Sequence, residues 1–214
     1  MTIGITQRVE FNEDYNEVRD CLDQQWTNLM CKAEIDFILL PNSIDNLESW
    51  LNKKNLSGFI LTGGNDLAFL QDAKNQAPNR DETERKILEW ALKNQTKVLG
   101  VCRGMQLINC FLSGGLTRIK GHAGTKHTIN VLSDNFYLGD KSEVNSFHDW
   151  GIYESDLSND LLPMASANDG TIEAIVHEKL PWMGIMWHPE RGDLKDSNCS
   201  IQLIKNFFQP KGIN

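Results

Sequence analysis

The apolar positions of the chain fall into short unbroken runs separated by helical spacings. Thr2–Thr6, Phe37–Leu40, Gly58–Leu61 and Lys97–Val101 read as strands. They are apolar along their length rather than at every second residue, the pattern of strands covered on both faces. Between them the spacing turns helical. Val18, Cys21, Leu22, Trp26, Leu29 and Met30 predict one helix, after a polar loop over Gln7–Asn16. Ile44, Leu47, Trp50 and Leu51 predict a second, capped by Ser43. Ile87, Leu88, Ala91 and Leu92 predict a third, behind the capping-box pattern Asp81-x-x-Glu84. Met105, Leu107, Ile108, Phe111 and Leu112 predict a fourth, opening directly from the fourth strand.

The second half changes character. Gly121–Asn145 mixes Gly, His, Thr and Asp with short β-like pieces such as Thr128–Leu132, and reads as small antiparallel strands and loops at the domain edge. Gly170–His177 and Trp182–Trp187 predict two further strands. Ile201, Ile204, Phe207 and Phe208 predict a last helix before Pro210. The expected fold is α/β, with a mostly parallel central sheet flanked by helices and a small antiparallel edge sheet. With no repeat, low-complexity tract or linker in 214 residues, 1–214 is expected to form one domain.

Charge and cysteine usage narrow the function classes. The formal net charge of −8 and the absence of a dense Lys/Arg run argue against a nucleic-acid surface. No stretch approaches a membrane span, and the N-terminus lacks a signal-peptide pattern, so no membrane partner is expected. The five cysteines are odd in number and contain no C-x-x-C, which suggests neither a disulfide framework nor a zinc site. A reducing, cytoplasmic setting is expected, with no metal and no cofactor.

The candidate chemistry sits where the fourth strand meets its helix. Gly100-Val101-Cys102-Arg103-Gly104 has the form of a strand-to-helix elbow carrying a sulfur nucleophile. At the positive end of a helix the thiolate is favoured. A buried structural cysteine is an equally ordinary occupant of such a position. Two other strand ends shift the balance, because open parallel sheets bind ligands beyond the carboxyl ends of their strands. Trp182–Trp187 ends in His188-Pro189-Glu190, which supplies a base and the carboxylate that fixes its tautomer. Gly58–Leu61 ends in Thr62-Gly63-Gly64. The backbone N–H groups of Gly64 and Arg103 are candidate donors to an oxyanion.

These residues, in this order, resemble the class I glutamine amidotransferase superfamily, in its γ-glutamyl hydrolase branch. Gly100–Gln106 is similar to the nucleophile motif, Trp187–Glu190 to the histidine–glutamate motif, and Thr62–Asp66 to the oxyanion loop. Arg80-Asp81-x-x-Glu84, Val144–His148 and Asp169–Ala174 are similar to secondary motifs of the branch. The resemblance implies a flavodoxin-like fold, a triad of Cys102, His188 and Glu190, and hydrolysis of a γ-glutamyl amide through a glutamyl thioester. It implies substrate contacts from Gly63, Asn65, Gln106, Asn145, Ser146, Phe147 and His148, with Gln106 and the Ser146–Phe147 backbone on the glutamyl moiety. The expected partner is a small-molecule γ-glutamyl substrate, with a nucleotide-linked leaving group among those implied. A synthetase that receives ammonia is a less favoured partner, and a non-catalytic binding or stress protein on the same scaffold is the reading of another class. Two departures bear on the leaving group: Asp149-Trp150 follows His148 where the family often has His-Gln, and Gln7–Trp26 is unlike its N-termini. A diphosphate leaving group would need cations, for which Arg8 and Arg103 are candidates, while Arg80 reads as a surface charge.

Overall fold

The computed structural model describes residues 1–133, 143–192 and 194–209. The 134–142 part of the expected edge segment and Pro210 lie outside the described residues. Five strands carry the parallel half of one nine-stranded sheet: β1 (Thr2–Thr6), β4 (Asp36–Leu40), β5 (Gly58–Leu61), β6 (Lys97–Val101) and β13 (Trp182–Ile185). Their order is β4-β1-β5-β6-β13 and every pair is parallel. The sheet then continues antiparallel through β12 (Ile172–His177), β11 (Leu161–Ala167), β8 (Ala123–Val131) and β9 (Glu143–Phe147). Two ribbons stand apart: β7 (Thr117–Arg118) with β10 (Trp150–Gly151), and β2 (Arg8–Asn12) with β3 (Glu17–Cys21). The α/β architecture expected from the apolar runs is thus the one observed.

Helices cover both faces, which is why the central strands are apolar throughout. On one side α1 (Gln24–Ala33) and α5 (Leu194–Phe208) pack Trp26, Met30, Ile204 and Phe208 onto Ile3, Ile5 and Ile185. On the other, α2 (Leu47–Asn52), α3 (Pro78–Asn94) and α4 (Arg103–Phe111) bring Leu51, Ile87, Leu88 and Ile108 against Phe59, Leu61 and Val98. Removing so much apolar side chain from water is the main force holding the three layers together. Among the described residues no helix is long and apolar enough to cross a membrane.

Several local expectations are corrected. Gln7–Asn16 is not a loop, and the first helix does not begin at Val18: the segment folds into the β2–β3 hairpin, turning at Glu13–Asn16, and α1 starts only at Gln24 behind the cap Asp23. Val9 and Phe11 alternate along a strand within the expected loop, and Val18 sits opposite Phe11 in the ribbon rather than on the expected helix. Ser43 does not cap α2, because Asn46 accepts from Ser49 N and the helix begins at Leu47. Asp81 and Glu84 form no capping box. Pro78 opens α3, and both carboxylates are directed at arginines instead.

Candidate active site

Cys102 caps α4 and is nine-tenths buried at the end of β6. Its backbone holds φ 52°, ψ −107°, a conformation that costs a non-glycine residue on the order of 1–3 kcal/mol. The flanking glycines make the turn possible by close approach rather than by dihedral freedom. A Cβ on Gly100 would come within 2.6 Å of the Gly104 backbone, and one on Gly104 would drive into the Leu61 carbonyl oxygen. The strand and helix therefore touch backbone to backbone beneath the sulfur.

His188 follows β13, the neighbour of β6, so its imidazole reaches the sulfur across one strand spacing. Its Nδ1 lies 2.7 Å from Glu190 Oε1, and the ring is buried. Burial by itself pushes this imidazole down. The charge and hydrogen bonding of Cys102 and of Glu190 outweigh it, and the pKa stands raised to about 9. The main chain of His188 is clamped as well: its N–H donates to Asn145 Oδ1 at 2.8 Å, and its carbonyl accepts from Asn145 Nδ2 at 2.9 Å. Gly63 leaves the space the ring occupies, since a Cβ there would meet His188 Cε1 at 2.6 Å.

The Thr62–Asn65 loop is held from below by Arg80. Its fully buried guanidinium donates to the carbonyls of Thr62 (2.6 Å), Gly63 (3.1 Å) and Gly64 (2.6 Å), to Asn65 Oδ1 and to Thr62 Oγ1, and pairs with Glu84 at 2.9 Å. Burial, then the neighbouring Arg103 cation, lowers Arg80 to about 10, still charged at neutral pH. Arg80 is thus no surface charge. Arg103 ion-pairs with both Asp81 and Glu84, and its guanidinium is committed to that buried network rather than offered to a leaving group. In a trans peptide C=O and N–H point opposite ways. Anchoring the Gly63 carbonyl on Arg80 therefore turns the Gly64 N–H away from the arginine.

A cleft of about 250 Å³ opens above the sulfur, lined by Gly64, Asn65, Cys102, Arg103, Gln106, Phe147, His148 and His188. The profile of the peptidase C26 family matches residues 2–190. The chain belongs to the peptidase C26 family. It is 35% identical over 214 residues to the gamma-glutamyl-CDP-amidate hydrolase of Campylobacter jejuni subsp. jejuni serotype O:2, covering 97% of this chain and 98% of the relative. It is 25% identical over 178 residues to a glutamine-hydrolysing GMP synthase component of Methanococcus aeolicus, covering 82% of this chain and 84% of that one. A solved glutamine amidotransferase of Thermotoga maritima superposes with a TM-score of 0.67 at 19% identity, covering 100% of this chain and 86% of that one, and shares the fold. Peptidase C26 membership makes the chain a hydrolase.

Within this C26 chain the structure brings together most of the expected residues but changes the part several of them play. Gln106, Phe147 and His148 face the cleft. The Gln106 amide donates to the Trp150 carbonyl at 2.8 Å, and Phe147 meets His188 edge to face at 5.7 Å. Burial lowers His148 to about 3, so its ring is neutral. Asn145 and Ser146 are buried and do not line the cleft; Asn145 serves the His188 backbone instead. Asn65 lines the cleft but also stitches the hairpin to the loop, accepting from Val9 N–H and donating to the carbonyls of Val9 and Asn75. Arg8, ion-paired to Glu10, lies over Gly64 and lines a second, larger groove of about 930 Å³ between the hairpin and the start of α3. Sequence reasoning missed Lys74 and Arg191, the further cations at the mouth of the cleft, Arg191 stacking on Phe147 at 4.8 Å. Arg191 directly follows Glu190, a nearness the sequence offered; Lys74 lies in a loop with no such signal.

Proposed function

We propose that the chain is a cysteine-dependent hydrolase of a γ-glutamyl amide, and that the observation carrying this reading is the single imidazole shared between Cys102 and Glu190. The Cys102 thiolate attacks the δ-carbonyl carbon of the glutamyl group. The oxyanion that forms is met by the N–H groups of Gly64 and Arg103, each such donor being worth roughly a hundred- to a thousand-fold in rate. Protonated His188 gives its proton to the departing nitrogen as the C–N bond breaks, leaving a glutamyl thioester. Water then attacks that carbonyl while His188 takes a proton, the C–S bond breaks, and glutamate leaves with the thiolate restored. Glu190 holds the Nδ1–H throughout.

The smaller cleft, with Gln106, Phe147 and His148, receives the glutamyl moiety. The leaving group passes over Gly64 and Arg8 toward the larger groove, whose size suits a nucleotide. Relatedness over nearly the full length of both chains to a gamma-glutamyl-CDP-amidate hydrolase supports CDP-L-glutamine as substrate. The products are L-glutamate and cytidine diphosphoramidate, as in phosphoramidate modification of a capsule. Five free cysteines fit work in the reducing cytoplasm.

Phosphorus NMR of purified protein with CDP-glutamine tests the assignment. The amidate resonance should grow with the isolated chain and vanish in Cys102→Ala. Undiminished turnover by Cys102→Ala refutes the mechanism. Absence of the amidate, with ready cleavage of γ-glutamyl-GABA or folate polyglutamate, moves the substrate elsewhere. Glutaminase activity that wakes only on adding a synthetase makes the chain an ammonia-delivering component of a larger enzyme.

A further inference from the structure

Under the antiparallel half of the sheet lies a second cluster, which shares only His148 with the wall of the cleft. His122 stands just before β8, His127 within it, His148 just after β9, and Glu173 in β12. His122, His148 and Glu173 are more than nine-tenths buried, and their ligand atoms all lie within 4.8 Å of one another. Glu173 is the centre. Its Oε1 is 3.8 Å from His122 Nδ1 and 3.9 Å from His148 Nε2, and its Oε2 is 3.3 Å from His127 Nε2. These five inward-facing atoms are buried and make no well-aligned hydrogen bond, the 3.3 Å His127–Glu173 pair coming nearest to one. Unsatisfied buried polar atoms are rare in folded proteins, and five in one place demand a common cause.

The outward-facing atoms say what that cause is. His122 Nε2 lies 2.8 Å from Asp169 Oδ2, and His148 Nδ1 lies 2.9 Å from the Trp150 carbonyl oxygen. Both partners accept, so each ring donates its outer N–H, and a neutral ring then turns a bare lone pair inward. Two lone pairs aimed at an ionised carboxylate repel it unless a metal cation or a proton sits between them, and the metal is the occupant that all three groups can share. A carboxylate and a carbonyl on the outer nitrogens are also the partners that orient metal-bound histidines.

We propose that His122, His127, His148 and Glu173 form a zinc site. Three imidazoles and one carboxylate suit zinc, whereas calcium and magnesium prefer oxygen alone. Tetrahedral bonds of about 2.0–2.2 Å set donor atoms about 3.4 Å apart, so the His122 and His148 pairs on Oε1 need to close by about half an ångström, and His127, which meets Oε2, turns in to complete the site. With four protein ligands the ion has no open position and is structural. It buckles β8 and β9 to β12 across the intervening β11, and so steadies Phe147 and His148 in the wall of the cleft. Short-range spacing gave no sign of zinc, and this tertiary cluster revises the expectation of a metal-free protein. The proposal stands whether or not Cys102 is the nucleophile.

The test is metal analysis of the full chain expressed in zinc-supplemented medium, beside Cys102→Ser to remove the thiol of the candidate active site as a zinc ligand. About one zinc per chain is expected in both, given four convergent ligands. Chelator-stripped protein should take up cobalt with the intense visible bands of a tetrahedral site. Free zinc at about a hundred times its Kd should lower the unfolding constant about a hundredfold. Asp169→Asn, on a half-exposed carboxylate outside the cluster, should weaken zinc about 10- to 100-fold without unfolding the chain, and Glu173→Gln should weaken it further. Less than about a tenth of a zinc per chain overturns the proposal, as does cobalt without tetrahedral bands. Uptake unchanged in Asp169→Asn and Glu173→Gln overturns it too, and leaves a protonated histidine–carboxylate network in its place.

Discussion

Arg80→Lys separates positioning from mere stability at the loop beneath the candidate oxyanion site. The guanidinium serves six acceptors: Glu84, the three carbonyls of Thr62, Gly63 and Gly64, Asn65 Oδ1 and Thr62 Oγ1. Lysine keeps the charge opposite Glu84 but has three donors on one nitrogen, and cannot span both the carboxylate and the loop. At least three acceptors lose their partner. At about 1–3 kcal/mol for each unsatisfied buried group, the cost to stability is on the order of 3 kcal/mol or more. That lowers the midpoint of thermal unfolding by about 6–12 °C in a chain of this size. The effect on turnover is separate. Freed from Arg80, the Gly63–Gly64 peptide can rotate, and losing one oxyanion donor lowers kcat by roughly 10²–10³-fold while KM changes little. Steady-state kinetics well below the unfolding midpoint, paired with calorimetry, read the two effects independently. A variant that melts earlier yet keeps kcat within about threefold would refute the positioning argument, because the donor's contribution should be far larger than that.

Two further outcomes follow from the same geometry. His188, raised to about 9, is an imidazolium at neutral pH and can protonate the leaving nitrogen; that form is lost as pH rises through the raised value, so kcat/KM should fall on an alkaline limb near pH 9, and a limb near the ordinary histidine value of about 6.5 would contradict the thiolate–imidazolium pair. Gly104→Ala forces a methyl group into the Leu61 carbonyl oxygen at a backbone contact that cannot yield cheaply, so urea denaturation should show a loss of about 3 kcal/mol or no folded protein at all; a loss below about 0.5 kcal/mol would mean that strand and helix are not packed as described.

How much could be read in the residues depended on how local the physics was. Strands β1, β5 and β6 were legible because burial on both faces makes them apolar almost without interruption, and the edge strand β4 carries the same apolar run although it is partly exposed. The Cys102 elbow was legible because its two glycines and its sulfur lie within five residues. His188 and Glu190 were legible because a proline-linked pair at a strand end is compact in sequence. The hairpin Arg8–Cys21 was not, since a ribbon solvated on both faces carries little apolar contrast, and its Val18 and Cys21 fell into phase with the helix that follows. Asp81-x-x-Glu84 has the composition of a helix cap, and only packing against Arg80 and Arg103 shows that its carboxylates are used elsewhere.

The sequence by itself determined the α/β class, the family and the three groups at the strand ends, because periodicity and short motifs depend on neighbours along the chain. Tertiary structure alone decided which charges stay buried, that Arg80 holds the loop, that Asn145 braces the His188 backbone, and that residues 122, 127, 148 and 173 converge. Those last four are spread over 52 positions and three strands. Their meeting depends on the sheet order and register, and no pattern along the chain encodes that distance.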